Sequence, residues 1–199
     1  MTAGRWRAVP LAAAAGLALL AGWQALEAAA IPAKAAVAQV LLARAWDEAA
    51  AGKAQPRPWP WADTWPVGRL AVPRLAIDQI VLAGASGRTL AFGPARLDMA
   101  ARPGGPAPIV LFGHRDTHFR FLQALRQGDR LAWREPGGAA LDFEVAETAV
   151  LHKDALRVPV AGGRPMLLVT CFAFDALASE TPLRYAVLLA ERGAATVAR

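Results

Sequence analysis

Few side chains in this sequence can carry covalent chemistry. It holds one cysteine, Cys171, and three histidines, His114, His118 and His152. Cys171 closes the apolar run Met166-Leu167-Leu168-Val169-Thr170 and precedes the looser segment FAFDALASETP, so its backbone is held while its thiol is presented where strand gives way to loop. His114 has the matching placement, at the end of PIVLFG and the start of the polar stretch HRDTHF, and Arg184 follows Pro182 to open the run RYAVLLA. Together the three suit acyl transfer through a thioester. The thiolate is the working nucleophile, and a free thiol with a pKa of about 8.5 needs a nearby base or cation to form it near neutral pH. His114 can serve as that partner and later return a proton to a leaving amine, while the permanent charge of Arg184 can hold the oxyanion of a tetrahedral intermediate. Taken singly, each residue has a plainer reading: an inert buried cysteine, a structural histidine, a surface arginine.

Their neighbours are weighed the same way. Thr170 either contacts substrate or continues the strand, and Asp116 either orients His114 and meets substrate or bonds backbone amides of its own loop. His118 is a reserve base on the loop of His114, and His152 reads as an ordinary polar residue. Zinc ligation by His114 and His118 would need a helix and a third ligand, and the apolar strand before His114 argues against it. No metal and no cofactor are expected.

The elements that must position these residues are short. From Val67 onward, apolar runs alternate with turn residues: GRLAVPRLAIDQIVLAG, PIVLFGH, RLAW, ALDFEVAETAVLH, MLLVTCF and RYAVLLA all read as strands. Leu141, Phe143 and Val145 alternate with Asp142 and Glu144, one face buried and one wet. Turn signals separate the runs at Pro103-Gly104-Gly105-Pro106, Pro136-Gly137-Gly138 and Gly162-Gly163. Only residues 119–127, FRFLQALRQ, have helical spacing. The expected fold class is all-β, a barrel or sandwich of about 130 residues.

Ahead of this lie two different segments. Residues 8–26 form an uncharged run that, as a helix rising about 1.5 Å per residue, spans roughly 28 Å, enough to cross a bilayer. Arg5 and Arg7 precede it, and residues 27–55 balance acids against bases, which sets Met1 in the cytoplasm and the rest outside. A cleaved signal peptide, with Ala28, Ala29 and Ala30 as the small residues, is the rival; the apolar run is longer than a signal core, and an uncleaved anchor is favoured. Residues 35–51 follow as a juxtamembrane helix, with Val37, Val40, Leu41 and Trp46 near one side. QPRPWPWADTWPVGRL then forbids regular helix and reads as an extended connector whose Trp59, Trp61 and Trp65 pack on the domain they introduce.

Composition narrows the classes further. Of 199 residues, 55% are hydrophobic and 19% charged, too apolar for a disordered chain, and one cysteine makes no intramolecular disulfide. The net charge of +6 is scattered without a basic stripe, which argues against nucleic acid.

At this point the motifs carry a resemblance. Gly113-His114-Arg115-Asp116-Thr117, Leu168-Val169-Thr170-Cys171 and Pro182-Leu183-Arg184, in this order across Trp65 to Leu189, resemble the sortase family. The alanine-rich anchor and the connector PWPWADTWPVGRL further resemble the class GN sortases of Gram-negative bacteria. The resemblance implies an eight-stranded β-barrel and catalytic roles for His114, Cys171 and Arg184. It implies a transpeptidase that cuts a Leu-Pro-x-Thr-Gly-like sorting signal between Thr and Gly, forms a Cys171 thioester with the Thr carbonyl, and passes the acyl group to an amine. One departure is Leu167, where the family has the first Thr of Thr-Leu-x-Thr-Cys.

The resulting organisation is a cytoplasmic tail (1–7), a membrane anchor (8–26), a juxtamembrane helix (27–54), a connector (55–66) and a catalytic domain (67–199). That domain is expected outside the inner membrane. Expected partners are the sorting-signal peptide of a dedicated target protein and the membrane, with the amine acceptor left open. A hydrolytic cysteine peptidase or L,D-transpeptidase-like cell-wall enzyme is the alternative, although Phe172, Ala173 and Phe174 replace the arginine that follows the cysteine closely in the latter. A tethered binding module using the Trp-rich segment is the third.

Overall fold

The computed structural model describes residues 3–100, 106–138, 140–158, 164–176 and 181–193, without the side chains of residues 3–12 and 29–32. The expected turns at Pro103-Gly104-Gly105 and Gly162-Gly163, and the side chains of Arg5, Trp6 and Arg7, lie outside this set. The chain divides into two compact units, Met1–Val40 and Leu41–Arg199.

The first helix, α1, runs Ala3–Ala50 over 48 residues. In the amino-terminal unit it exposes Leu17, Leu19, Leu20, Trp23 and Leu26. A contiguous apolar surface of this kind marks a partner or a lipid phase. By length and composition α1 is apolar enough to cross a membrane.

In the second unit the last turns of α1 bury Leu42, Ala45, Trp46 and Ala49, an i, i+3, i+4, i+7 stripe. This corrects the expected grouping, because Val37 and Val40 are exposed. The small side chains of Ala45 and Ala49 put the buried side of the helix where backbone can approach closely. Gly52 follows with φ +95°, a conformation that costs glycine nothing, and the helix stops at Ala50. The connector packs in part, as expected: Trp59 meets Phe92 edge-on at 4.8 Å, and the Thr64 hydroxyl donates to the Ala83 carbonyl at 2.8 Å. Trp61 departs from the expectation and is 80% exposed.

The strands are β1 (Pro66–Val72), β2 (Ile77–Ala83), β3 (Ala95–Leu97), β4 (Ile109–Phe112), β5 (Arg130–Arg134), β6 (Ala140–His152), β7 (Met166–Cys171) and β8 (Leu183–Glu191). They close in the order β1-β2-β3-β4-β7-β8-β6-β5. The eight-stranded barrel is therefore present, but the chain as a whole is not strictly all-β, since the two helices expected ahead of the barrel form one long helix, α1. Pro73 splits the first apolar run with a 3-10 turn, Pro73–Leu75. The expected helix over 119–127 shrinks to a 3-10 segment, Arg120–Ala124. Strand β3 carries three residues and left no alternation to read. Between β2 and β3 sits one helical turn, α2 (Gly87–Leu90), capped by the Ser86 hydroxyl, which accepts from the Thr89 N–H.

Inside the barrel, Trp133, Phe119, Phe143 and Leu168 are fully enclosed. Gly68 on β1 leaves room for one of them, since a Cβ there would stand 1.9 Å from the Trp133 ring. Outside the sheet a second apolar layer forms over β4, β7 and β8, from Val110, Leu167, Val169 and Ala186 under Phe112 and Leu151.

One ion pair ties the turn after β1 to the start of β5. Arg74 donates through Nε to Asp129 at 2.6 Å, and the Arg126 N–H donates to the same carboxylate at 2.7 Å. The Arg74 hydrogen bond, more than the Arg126 amide, holds the Asp129 carboxyl below its ordinary pKa against the opposing effect of burial. A carboxyl depressed on folding adds stability above its unfolded pKa, and that stability is lost as pH falls through the folded value. The melting temperature of the native protein is therefore expected to drop on acidification below the ordinary aspartate range. Asp129→Asn should lower it at neutral pH and flatten the acid limb, as read by thermal denaturation over a pH series.

Candidate active site

The site is built by strand register. Strands β7 and β8 run antiparallel with Cys171 directly opposite Arg184. Strands β4 and β7 run parallel with Phe112 beside Val169, so two further residues set His114 level with Cys171. His114, Cys171 and Arg184 thus lie in a row across three neighbouring strands at one end of the barrel. Alternation along β7 and β8 puts Cys171 with Leu167 and Val169, and Arg184 with Ala186 and Leu188, on the outer face. Leu151 of β6, opposite Arg184, extends the row on an apolar floor.

Each member is accessible to a different degree. His114 is exposed, and Cys171 and Arg184 are half-buried. Cys171 is a free thiol. The Arg184 guanidinium donates through Nη1 to the carbonyls of Thr181 at 2.6 Å and Leu183 at 2.9 Å, which fixes its plane beside the Cys171 strand end.

Thr170 points the other way. It is buried, and its hydroxyl donates to the Gly113 carbonyl at 2.7 Å. That hydroxyl is committed to the protein and pins the residue before His114 to the residue before Cys171. Gly113 is needed there, because a Cβ would come within 2.6 Å of the Phe119 ring that packs beneath the loop. Asp116 is exposed, and its carboxylate lies 3.3 Å from Nε of Arg115 rather than on backbone amides.

His118 is half-buried, and its backbone carbonyl accepts from the Gln79 side chain at 3.0 Å. Burial pushes its pKa down, opposed by its bond to the Ala91 backbone, with His114 nearby adding to the lowering. His152 follows Leu151 on β6, opposite Leu183, and sits beside Asp154, whose carboxylate is 3.2 Å from Nδ1.

Sequence reasoning passed over Arg115. It is 5% exposed, and its guanidinium donates to the carbonyls of Ala173 at 2.8 Å and Ala176 at 2.7 Å, across to the loop after Cys171. No pattern distinguishes it from the exposed charges around it in HRDTHFR. Between these two loops opens a cavity of about 620 Å³ whose walls include Arg115, Asp116, Arg120, Phe172 and Asp175. The loop after Cys171 is further held by aromatic contacts, with Phe174 on Tyr185 at 5.2 Å and Phe172 stacked on Tyr185 at 6.4 Å.

The sequence and the fold have known counterparts. Sortase D of Bacillus subtilis (strain 168) is 27% identical over 122 residues, which is 60% of this chain and 61% of that relative's length. Sortase C-1 from Actinomyces oris superposes with a TM-score of 0.53 at 26% identity, covering 63% of this chain and 73% of the other. Sortase A from Corynebacterium diphtheriae shares the fold with a TM-score of 0.56 at 19% identity, covering 78% and 84%. The sortase-domain family model matches residues 70–191, from β1 through the last residue of β8, and so takes in the whole His114, Cys171 and Arg184 row. By that match and by the barrel that aligns the row, the chain belongs to the sortase family.

Proposed function

We propose that this protein is a membrane-anchored cysteine transpeptidase in which Cys171 is the nucleophile, His114 its proton partner and Arg184 the oxyanion donor. The single observation that carries the assignment is the row itself, in which β7–β8 register sets Arg184 opposite Cys171 and β4–β7 register sets His114 beside it. Cys171 attacks the Thr carbonyl of a Leu-Pro-x-Thr-Gly-like signal, and the tetrahedral oxyanion is met by Arg184. The C–N bond breaks with proton transfer from His114 to the departing amine, leaving a thioester. An incoming amine then reverses the sequence, with His114 taking its proton and Cys171 leaving as thiolate.

The apolar outer layer over β4, β7 and β8 suits the Leu-Pro portion of such a signal. Thr170 serves as a positioning residue through Gly113, and Asp116 as a polar neighbour of the substrate at the cavity mouth. The apolar face of α1 supports an anchor at residues 8–26 in the inner membrane. The amino terminus is then cytoplasmic and the 67–199 domain periplasmic, with residues 27–54 as juxtamembrane helix and 55–66 as connector. The connector motif and alanine-rich anchor support assignment to class GN and a role in fixing one dedicated surface protein.

Mass spectrometry of the protein mixed with candidate signal peptides tests the assignment. An adduct on Cys171 of the mass of the acyl portion ending in Thr, discharged by an added amine, is the expected result; no adduct with any such peptide would defeat it. Arg184→Ala should slow turnover by a factor on the order of a hundred, as for loss of one oxyanion donor, with alkylation of Cys171 retained.

A further inference from the structure

His114 is flanked by two residues that both reach across to the segment around Cys171. On the amino-terminal side the Gly113 carbonyl accepts from Thr170, the residue before Cys171. On the carboxyl-terminal side the Arg115 guanidinium donates to Ala173 and Ala176, the turn after Cys171. The Ala176 N–H also donates to the Ala173 carbonyl, so both carbonyls belong to one closed turn.

We propose that Arg115 is a positioning residue that sets His114 against Cys171 by clamping the Phe172–Ala176 turn to the loop after β4. The proposal rests on His114 and Cys171 being the reacting pair.

The energetics favour this over a role in stability. Burying a guanidinium removes its hydration, a cost that partners inside the protein must offset. An apolar side chain of similar length fills the same space at less desolvation cost, as replacements of buried ions elsewhere show. What methionine cannot supply is a planar fork that reaches two carbonyls at once. Lysine keeps the charge but offers a single ammonium point, so it holds one carbonyl at a time. Thr170 constrains only the near end of the site; the Phe172 N–H on the Leu183 carbonyl and the Phe172 and Phe174 rings on Tyr185 tie the turn that follows Cys171 to β8, and the Arg115 fork is what ties it to the loop of His114.

The test compares full-length Arg115→Met and Arg115→Lys with the wild-type protein. For turnover of a Leu-Pro-x-Thr-Gly-type peptide, kcat is expected to fall about a hundredfold in Arg115→Met, the scale of a misplacement near 1 Å, with KM within about twofold. Arg115→Lys should recover part of the loss. Hydrogen exchange should quicken at the Phe172 and Ala176 amides in both variants while the barrel strands keep their protection. The rate of Cys171 alkylation by iodoacetamide, which needs no peptide, should fall about tenfold in Arg115→Met as His114 loses its fixed relation to the thiol.

Unchanged kcat and alkylation in a folded Arg115→Met protein would overturn the proposal. So would loss of exchange protection throughout the barrel in the lysine variant, which would make Arg115 a general stabiliser. If the wild-type protein turns over no peptide, the failure lies with the function proposed above, and the alkylation rates still decide the role of Arg115.

Discussion

Cys171→Ala is expected to abolish both cleavage of a signal peptide and transfer to an amine, a loss of at least about ten-thousandfold, with the fold intact. The size follows from the covalent step. Removing a nucleophile leaves only binding and oxyanion stabilisation, which together account for a small part of such a rate. The fold survives because Cys171 is half-buried at a strand end, where losing one sulfur opens no enclosed cavity. Product analysis together with a thermal melt checks both halves. Full activity in a folded Cys171→Ala protein would end the nucleophile assignment, and unfolding would show that the sulfur packs more tightly than its exposure indicates.

The largest effect on stability is expected from the smallest substitution. In Gly68→Ala, the new methyl would stand 1.9 to 2.6 Å from three atoms of the Trp133 ring, distances no relaxed contact allows. Trp133 has no free direction, being fully enclosed among the largest core side chains. Either β1 or the indole must move. Overpacking of this kind costs about 3 kcal/mol, which for a domain of this size lowers the melting temperature by roughly 6 to 12 °C. Gly52→Ala and Gly84→Ala, where a Cβ meets nothing within 4 Å but φ is positive, separate steric clash from backbone strain. A melting temperature within a degree or two of the wild-type protein would overturn this account of Gly68.

The three residues of the proposed catalytic row were legible as candidates because they mark the ends of apolar runs. A cysteine, a histidine and an arginine at strand exits stand out when the chain contains so few alternatives, and register then sets them level. Strands β6 and β7 were readable from alternation and from an unbroken apolar stretch respectively. Strand β3 was not, since three residues carry no period, and residues 119–127 satisfied helical spacing although Phe119 and Leu122 are buried by the barrel interior rather than by a helix face. Ala45 and Ala49 were missed because alanine reads as a helix former before it reads as a contact. Arg115 was missed for a deeper reason. Its role is to bond main-chain carbonyls at Ala173 and Ala176, and main-chain acceptors leave no trace in residue identity.

The parallel pairing of β4 with β7 also governs when the site comes into being. Parallel neighbours cannot be joined by a tight hairpin, and the Thr170 hydroxyl and Gly113 carbonyl that bridge them are 57 residues apart, with β5 and β6 made in between. Closing so long a loop is entropically unfavourable until the intervening hairpin has condensed, and contacts of this range form slowly. A nascent or partly folded chain therefore carries a thiol with no histidine beside it. On the proposed mechanism, catalytic competence arrives with the pairing of β4 and β7, so the chain stays inert during its own synthesis, and regain of activity on refolding reports that pairing.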